Sequence, residues 1–444
     1  MKKMKRKILH LAGLLLLTVV AAACTPGHER PRTDLRTADG KPVSEQVLGV
    51  YRLYPDSVGP APEVPQGYVP CYVSHYGRHG SRYLLADSQY LYVHGQLTKA
   101  LARGGLTRLG RRIQADLERL LPQFEGHAGD LTPVGVAQQE AIARRMVARN
   151  GEVFRPGAAV EVSTSATPRT RESMEAFCGA LRQICPSLRI ACREDAALNP
   201  YSSASGIPNA DDLRLKSLQA DWRPAFDRYC RERIDTAAFA ARIFTDPRPA
   251  DPDYDPVAFE RSVYNLAIHF AGCGIDIDWF PLFTSDELTA LSQCEAYTFY
   301  QEKGPGHETS DRTWALSAYI LDRMIDQADS ALVAGTAAHL RFGHDGCLMA
   351  LLTLMGAEGW TSVAATADET ARAWDISQIP MAGNLQWIFY RSTDTEGEIL
   401  VRLLLNEEPL PLPVTDRSGL CRWQTLRDYL DGRCREAFTL LKES

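Results

Sequence analysis

The chain has 444 residues, 45% of them hydrophobic, and a formal net charge of −6. That length exceeds one average domain, and the apolar content is sufficient for a large buried core. Residues 1–23 carry five basic side chains and no acidic one, so the remaining chain has a formal net charge of −11. Such an acidic protein is poorly suited to nucleic acid as a partner.

The N-terminus has the pattern of a secretory signal: a basic start, an apolar run over Leu11–Ala23, and small residues before Cys24. The run is short for a bilayer span. Ala21–Cys24 resembles a lipobox, although Ala21 stands where leucine is usual. We therefore expect residues 1–23 to be a signal peptide and Cys24 to carry a lipid. We expect an extracytoplasmic protein anchored to a bacterial membrane, the outer one in particular. Cleavage near Ala23 that releases a soluble protein is the alternative.

After Cys24 the chain predicts three kinds of segment. Residues 24–47 are rich in charge, proline and glycine, and predict a flexible tether. Apolar runs predict strands, and 3.6-residue periodicity predicts helices. The predicted strands are Tyr68–Tyr76, Val160–Ser165, Leu188–Ala191, Ala331–Phe342, Leu385–Tyr390 and Ile399–Leu405. The predicted helices include Gly105–Leu121, Pro133–Asn150, Pro168–Ile184, Leu213–Thr236, Val257–Gly272, Thr313–Ala328 and Cys347–Met355.

This alternation predicts an α/β fold: a three-layer sandwich with a mainly parallel central sheet. Strand signals fade between residues 198 and 306, where amphipathic helical patterns predominate. We expect residues 48–197 and 307–444 to form the α/β core. Residues 198–306 would form an inserted, mostly helical cap.

The first candidate site follows the first predicted strand and reads Arg78-His79-Gly80-Ser81-Arg82. Arginine keeps its charge and is almost never buried unpaired, so this motif is a poor core segment. Two guanidiniums favour the neutral, nucleophilic form of a neighbouring histidine, and they bind phosphoryl oxygens. A basic surface turn is the alternative.

Two further strand ends carry charged side chains. His344 and Asp345 follow the predicted strand Ala331–Phe342, and Arg169 follows Val160–Ser165. In α/β proteins, ligand groups cluster at the carboxyl ends of parallel strands. Asp345 could also cap the next helix, a role compatible with catalysis. We predict that these residues share one crevice with His79.

In this order, the motifs resemble the histidine acid phosphatases, the RHGxR branch of the histidine phosphatase superfamily. Leu131–Gly135 with Gln138 is similar to the LTPxGxxQ element of that family. The resemblance implies a phosphohistidine nucleophile at His79 and a proton donor at Asp345. It implies phosphate binding by the remaining four site residues, Arg78, Arg82, Arg169 and His344.

Within that family, Leu340–Gly356 resembles the multiple inositol polyphosphate phosphatases. Those enzymes usually read His-Ala-Glu where this chain has His344-Asp345-Gly346, and His-Asp is the pattern of bacterial phytases and acid phosphatases. Leu84 stands where many relatives have proline, and Gly346 where serine or threonine often follows. The resemblance implies a phosphorylated small-molecule substrate, with inositol polyphosphate (phytate) as the leading candidate.

Phosphoryl transfer mainly requires positioning and compensation of oxyanion charge, which three arginines and a histidine can supply. We therefore expect no metal and no cofactor. A broad-specificity acid or sugar phosphatase is the alternative substrate class. A lipoprotein that binds phosphorylated ligands without catalysis is an alternative of another kind. The oligomeric state is not predicted.

Ten cysteines other than Cys24 could form disulfides in an oxidising compartment, although sequence cannot assign the pairs. We consider Cys185 with Cys192, and Cys421 with Cys434, the first pairs to test because they are close in sequence. No two of these cysteines have CxxC spacing, which disfavours a zinc site.

Overall fold

One eight-stranded mixed sheet runs through the centre of the molecule. The structure is a computed structural model that describes residues 35–207, 221–246, 253–305, 312–394 and 397–443. The strands are β1 (Tyr68–Arg78), β2 (Ala159–Thr164), β3 (Arg189–Glu194), β4 (Ala338–Gly343), β5 (Asn384–Ser392), β6 (Ile399–Leu405), β7 (Glu408–Pro409) and β8 (Leu420–Arg422). Their order is β3-β2-β4-β1-β5-β6-β7, with β8 also paired to β6. Strands β3, β2, β4 and β1 are parallel neighbours, whereas β5 is antiparallel to both β1 and β6.

Helices of the described part cover both faces of this sheet. They are α1 (Ser88–Ala102), α2 (Arg108–Phe124), α3 (Pro133–Arg149), α4 (Pro168–Ile184), α5 (Arg223–Arg233), α6 (Thr236–Ile243), α7 (Pro256–His269), α8 (Ser285–Lys303), α9 (Ala318–Ala334), α10 (Asp345–Met355), α11 (Ala367–Thr370) and α12 (Trp423–Glu443). Short 3₁₀ segments, such as Glu45–Tyr51 and Phe270–Cys273, connect some of them.

Two hydrophobic clusters lie on the two faces of the sheet. Tyr72 and Tyr76 of β1 point into the cluster formed with α9, α10 and α12. Val73, between them, points into the cluster formed with α3 and α4. Alternate residues of a strand face opposite sides, so β1 is covered on both faces. The predicted α/β sandwich of three layers is confirmed.

Most element boundaries agree with the sequence predictions, with one clear error. The apolar run Ala331–Phe342 was predicted to be one strand, but α9 continues to Ala334 and β4 begins only at Ala338. Gly335 ends the helix with a φ of 76°, in the left-handed region that glycine favours. Apolar runs of this kind fit a buried helix as well as a buried strand, so periodicity alone could not locate the junction.

The C-terminal part of the predicted tether, residues 36–47, packs against the rest of the folded chain. The Ala38 amide donates to the carbonyl of Phe283, and the Ser285 amide donates to Asp39. Thr37 and Val47 are buried. From Arg36 onward the described chain therefore belongs to the folded unit, which corrects the 24–47 boundary. Residues 1–34, with the predicted signal peptide and Cys24, lie outside the described residues.

Between residues 198 and 305 the described chain contains helices and 3₁₀ turns and no named strand. Part of the predicted helix Leu213–Thr236 falls outside the described residues, and its remainder corresponds to α5. The division into core and cap stays a prediction. No helix in the described ranges has the length and apolar character that a membrane span requires.

The cysteine contacts differ from the pairs suggested by sequence proximity. The sulfur of Cys192 lies 3.9 Å from that of Cys178, rather than beside Cys185. Cys178 is on the buried face of α4, which packs against the parallel sheet that includes β3. A second pair, Cys230 of α5 and Cys294 of α8, has its sulfurs 3.0 Å apart. All four are thiols in this structure.

Candidate active site

Three neighbouring parallel strands end side by side at the site. Arg78, the last residue of β1, is in register with Gly343 of β4, and Thr164 of β2 is in register with Phe342. The residues that follow each strand, including His79 and His344, therefore share the carboxyl edge of the sheet. The ring centroids of these two histidines are 5.8 Å apart. The structure thus brings the predicted residues at the three strand ends close together.

The loop after β1 is held against the start of α3 by close backbone contact. A Cβ on Gly80 would lie 2.4 Å from the carbonyl oxygen of Gly135, so both positions require glycine. The side chain of Thr132, the N-cap of α3, accepts from the Gly135 amide, and the Thr132 backbone amide donates to the Ser81 carbonyl at 2.9 Å. Gln138 Oε1 accepts from the Ser81 amide at 2.9 Å. The LTPxGxxQ element thus supports the histidine loop.

His79 presents one ring nitrogen to the crevice as a nucleophile. Its Nδ1 lies 2.8 Å from the Gly80 carbonyl, an oxygen that can only accept, so Nδ1 carries the proton. Nε2 then keeps its lone pair. Burial, followed by the charges of Arg78, Arg169 and Arg82, holds the pKa of His79 well below its usual range. His79 is therefore neutral at physiological pH.

Arg78 is completely buried, and its guanidinium contacts three separate segments of the site. Its Nη1 donates to the carbonyls of Val50, at 2.5 Å, and Ile379, at 3.0 Å. Its Nη2 lies 2.8 Å from a carboxylate oxygen of Asp345. The buried guanidinium is thus paired, as its charge requires.

Arg82 and Arg169 add two more guanidiniums to the same pocket. Arg82 Nη2 lies 3.4 Å from the hydroxyl of Tyr51, and its guanidinium lies 5.5 Å from the centre of that ring. Arg169 Nη2 lies 3.4 Å from Nδ1 of His344. The buried Nε atoms of Arg78, Arg82 and Arg169 have no acceptor within the described ranges. Buried donors without acceptors are costly, and the charges of all three arginines act on His79, so an anion bound beside this histidine would be stabilised.

His344 is neutral and oriented by its neighbours. A guanidinium can only donate, so Nδ1 accepts from Arg169 and Nε2–H donates to the hydroxyl of Ser165, at 3.1 Å. Thr167 Oγ1 lies 3.3 Å from the same Nε2. Burial, then the charge of Arg169, lowers the pKa of His344 to about 4.

Asp345 is the first residue of α10, and its side chain is 21% exposed. Its Oδ1 accepts from the Gly346 amide at 2.8 Å. The N-cap of this helix is His344, so Asp345 binds an amide of the first turn without being the capping residue that the sequence suggested as an alternative. Burial raises its pKa, but the positive charges of Arg78 and Arg82 outweigh burial and hold the pKa at about 2. In this form Asp345 is ionised, whereas proton donation requires the acid. An anion on the arginines would weaken their effect and raise that pKa.

Sequence reasoning missed two aromatic side chains at the pocket. Tyr51 comes from the 3₁₀ segment Glu45–Tyr51, at the very start of the predicted core. His269, the last residue of α7, is buried and packs edge-on against Tyr51, with ring centroids 5.0 Å apart. Neither belongs to a local motif, and both reach the site through long-range packing. No signal in one sequence could have identified them.

The described ranges contain no group of three or more His, Cys, Asp or Glu side chains that could hold a metal ion. The prediction that the site works without metal or cofactor remains to be tested by experiment. Positive charge at the pocket comes from the three guanidiniums.

The chain is similar to proteins named multiple inositol polyphosphate phosphatase. No family model matches the chain. The chain is 24% identical over 382 residues to multiple inositol polyphosphate phosphatase 1 of Gallus gallus, covering 80% of this chain and 81% of that protein. A shorter match, 25% identical over 190 residues, covers 40% of this chain and 38% of the Homo sapiens protein of that name.

Solved structures share the fold. The apo form of Bifidobacterium longum multiple inositol polyphosphate phosphatase has a TM-score of 0.70 at 20% identity, covering 87% of this chain and 97% of that one. The same enzyme was also solved in complex with inositol hexasulfate, with a TM-score of 0.68. The phytase of D. castellii has a TM-score of 0.65 at 12% identity, covering 88% of this chain and 85% of that one. Motifs, relatives and fold agree, and they confirm the resemblance of this chain to the histidine acid phosphatase family, on the side of the multiple inositol polyphosphate phosphatases and phytases.

Proposed function

We propose that the chain is a phosphomonoesterase that hydrolyses inositol polyphosphates through a phosphohistidine intermediate at His79. One observation carries this proposal: a neutral histidine with a free Nε2 lies within the field of three guanidiniums, and the buried Nε–H groups of these arginines lack acceptors in the described chain. The arrangement fits a tetrahedral anion whose central atom accepts a nucleophile. Relatives named for inositol polyphosphates support the substrate class.

In the first step, Nε2 of His79 attacks phosphorus in line with the ester oxygen. The N–P bond forms as the P–O bond breaks. Arg78, Arg82 and Arg169 compensate the charge on the three remaining phosphoryl oxygens, where guanidinium forks donate to them. His344, neutral in the free enzyme, takes up a proton from solvent as the anionic substrate binds, donates a hydrogen bond to the same oxygens, and returns the proton to solvent when phosphate leaves.

The leaving alkoxide needs a proton, which Asp345 donates in its acid form. Substrate binding makes this possible. The negative charge of the bound phosphate offsets the positive charges of Arg78 and Arg82. In the free enzyme these charges hold the pKa of Asp345 low. In the second step, water attacks the phosphohistidine, and the Asp345 carboxylate accepts the proton from that water. Inorganic phosphate leaves, and His79 and Asp345 return to their starting forms.

The test is phosphate release from inositol hexakisphosphate by residues 25–444, with a chelator present, for wild type and His79→Ala. We expect release by wild type and a loss of essentially all activity in the variant. Retention of more than a few per cent of the wild-type rate by His79→Ala would refute the nucleophile assignment.

If wild type does not release phosphate from this substrate, an aryl phosphate separates the remaining alternatives. Activity there indicates a broad acid phosphatase or sugar phosphatase. No activity on either substrate indicates a lipoprotein that binds phosphorylated ligands without turnover.

We also propose that the enzyme is extracytoplasmic and held at a bacterial membrane by a lipid on Cys24, by preference at the outer membrane. The basic start, the apolar run and the small residues before Cys24 support this. Incorporation of a radiolabelled fatty acid should be lost in Cys24→Ser. Equal labelling of both forms would contradict the assignment.

A further inference from the structure

Lys303, the last residue of α8, extends its side chain over the start of α10. A Cβ built on Gly346 would lie 3.0 Å from Cε of Lys303, 3.7 Å from its Cδ and 3.9 Å from its Cγ. The lysine stem therefore occupies the space beside Gly346, immediately after Asp345. A serine or threonine at position 346 would take up this space, so the glycine and the lysine side chain fit each other.

The ammonium group of Lys303 is paired with an aromatic ring rather than with a carboxylate. Its Nζ lies 3.7 Å from the ring centre of Tyr201, a favourable cation–π geometry. No carboxylate within the described ranges forms an ion pair with it. Cation–π contact leaves the net positive charge in place, so the ammonium can still attract an anion.

Tyr201 is itself tied to the strand ends that form the pocket. It follows Leu198, whose carbonyl accepts from the hydroxyl of Tyr76 on β1, at 3.1 Å, and faces the sulfur of Cys347 on α10. The Tyr201 hydroxyl is buried and has no partner among the residues that the structure describes. The pair Tyr201–Lys303 therefore lies beside the start of α10, one residue beyond Asp345.

The direction of the in-line attack determines which part of the substrate lies near Lys303. His79 attacks phosphorus from one side, and the ester oxygen leaves on the other side, toward Asp345. Groups just beyond Asp345 therefore meet the leaving alcohol and its substituents. Lys303 lies on that side, next to Gly346.

We propose that Lys303 binds a phosphate group of the substrate other than the one being cleaved, and so selects polyphosphorylated over monophosphorylated alcohols. The proposal rests on the proposed function and names a specificity-determining residue for it. Loss of a charge-assisted contact of this kind lowers kcat/KM about 10- to 150-fold, which corresponds to about 1.5–3 kcal/mol. Tyr201 positions the ammonium.

The experiment compares inositol hexakisphosphate with an aryl monophosphate for wild type, Lys303→Met and Lys303→Arg. Methionine keeps most of the stem and removes the charge. We expect Lys303→Met to lower kcat/KM for inositol hexakisphosphate about 10-fold or more, mainly through KM, and to leave the aryl phosphate within about twofold. Lys303→Arg should restore part of the loss. Lys442→Met, which removes an exposed lysine from the last turn of α12, controls for net charge.

Equal losses on both substrates, or no loss on either, would overturn the assignment of Lys303. So would the same selective loss in Lys442→Met, because a remote lysine contacts neither substrate. Failure of the proposed function gives a different result, seen in the wild type itself: no phosphate release from inositol hexakisphosphate, whether or not the aryl phosphate is cleaved.

Discussion

Gly135→Ala tests whether the histidine loop depends on close contact with α3. The added Cβ would lie 2.2 Å from the Ser81 carbonyl oxygen and 2.7 Å from the Ser81 amide nitrogen. Both are backbone atoms that cannot rotate away, so relief of the overlap requires α3 and the loop to separate by about 1 Å, given normal contact distances. That loop carries His79 and Arg82.

This separation should lower both the unfolding free energy and the catalytic rate. Overpacking of this kind costs about 1–3 kcal/mol of unfolding free energy, offset by about 1 kcal/mol because alanine favours the helix. A displacement of about 1 Å at a reacting group costs about 100-fold in rate. We therefore expect Gly135→Ala to lose far more activity than stability.

The assay measures kcat/KM on an aryl phosphate together with the unfolding free energy from denaturant titration. Gly179→Ala, inside α4, is the matched control because its Cβ would have no heavy atom within 4 Å. We expect the unfolding free energy of this control to rise by about 0.5–1 kcal/mol and its kcat/KM to equal that of the wild type. A folded Gly135→Ala with wild-type kcat/KM would refute the reasoning.

Two further predictions concern carboxyl groups. Asp345→Asn should slow the hydrolysis of alkyl phosphates more than that of aryl phosphates, because an aryl oxide leaves without a proton. An equal loss of rate on both substrates would contradict the role of Asp345 as proton donor. Glu260 of α7 is fully buried, with no hydrogen-bond partner in the described chain, and its pKa is raised to about 9 by burial and by Glu287, while Arg242 partly opposes them. A raised pKa means that stability falls as pH rises from 4.5 toward 9, by on the order of 1 kcal/mol per pH unit. Glu260→Gln should remove this slope in denaturant titrations at pH 5 and pH 8, and parallel profiles for both proteins would argue against it.

The parts of the site predicted from sequence are those where chemistry and local structure coincide. His79 and His344 each follow an apolar run that forms a buried strand, and such strand ends meet at one edge of a parallel sheet. Arg169 was predicted in the same way. These residues could be placed without knowing any long-range contact, because the strand pairing follows from the α/β alternation.

The remaining parts depend on contacts between distant segments. Tyr51, His269 and Lys303 reach the pocket from the N-terminal 3₁₀ segment and from the ends of two helices, with no motif around them. The boundary between α9 and β4, near Gly335, was not predicted because a buried helix and a buried strand have similar composition. The ionised state of Asp345 was also not predictable, since it depends on the 2.8 Å contact with Arg78.

Direct detection of phosphate on His79 tests the central claim. Enzyme mixed with labelled substrate, quenched in alkali within milliseconds and digested, should yield a peptide in which His79 carries an acid-labile, alkali-stable phosphate. The same peptide from His79→Ala should carry none. Turnover without any covalent phosphate, or with the label on another residue, would contradict the phosphohistidine mechanism.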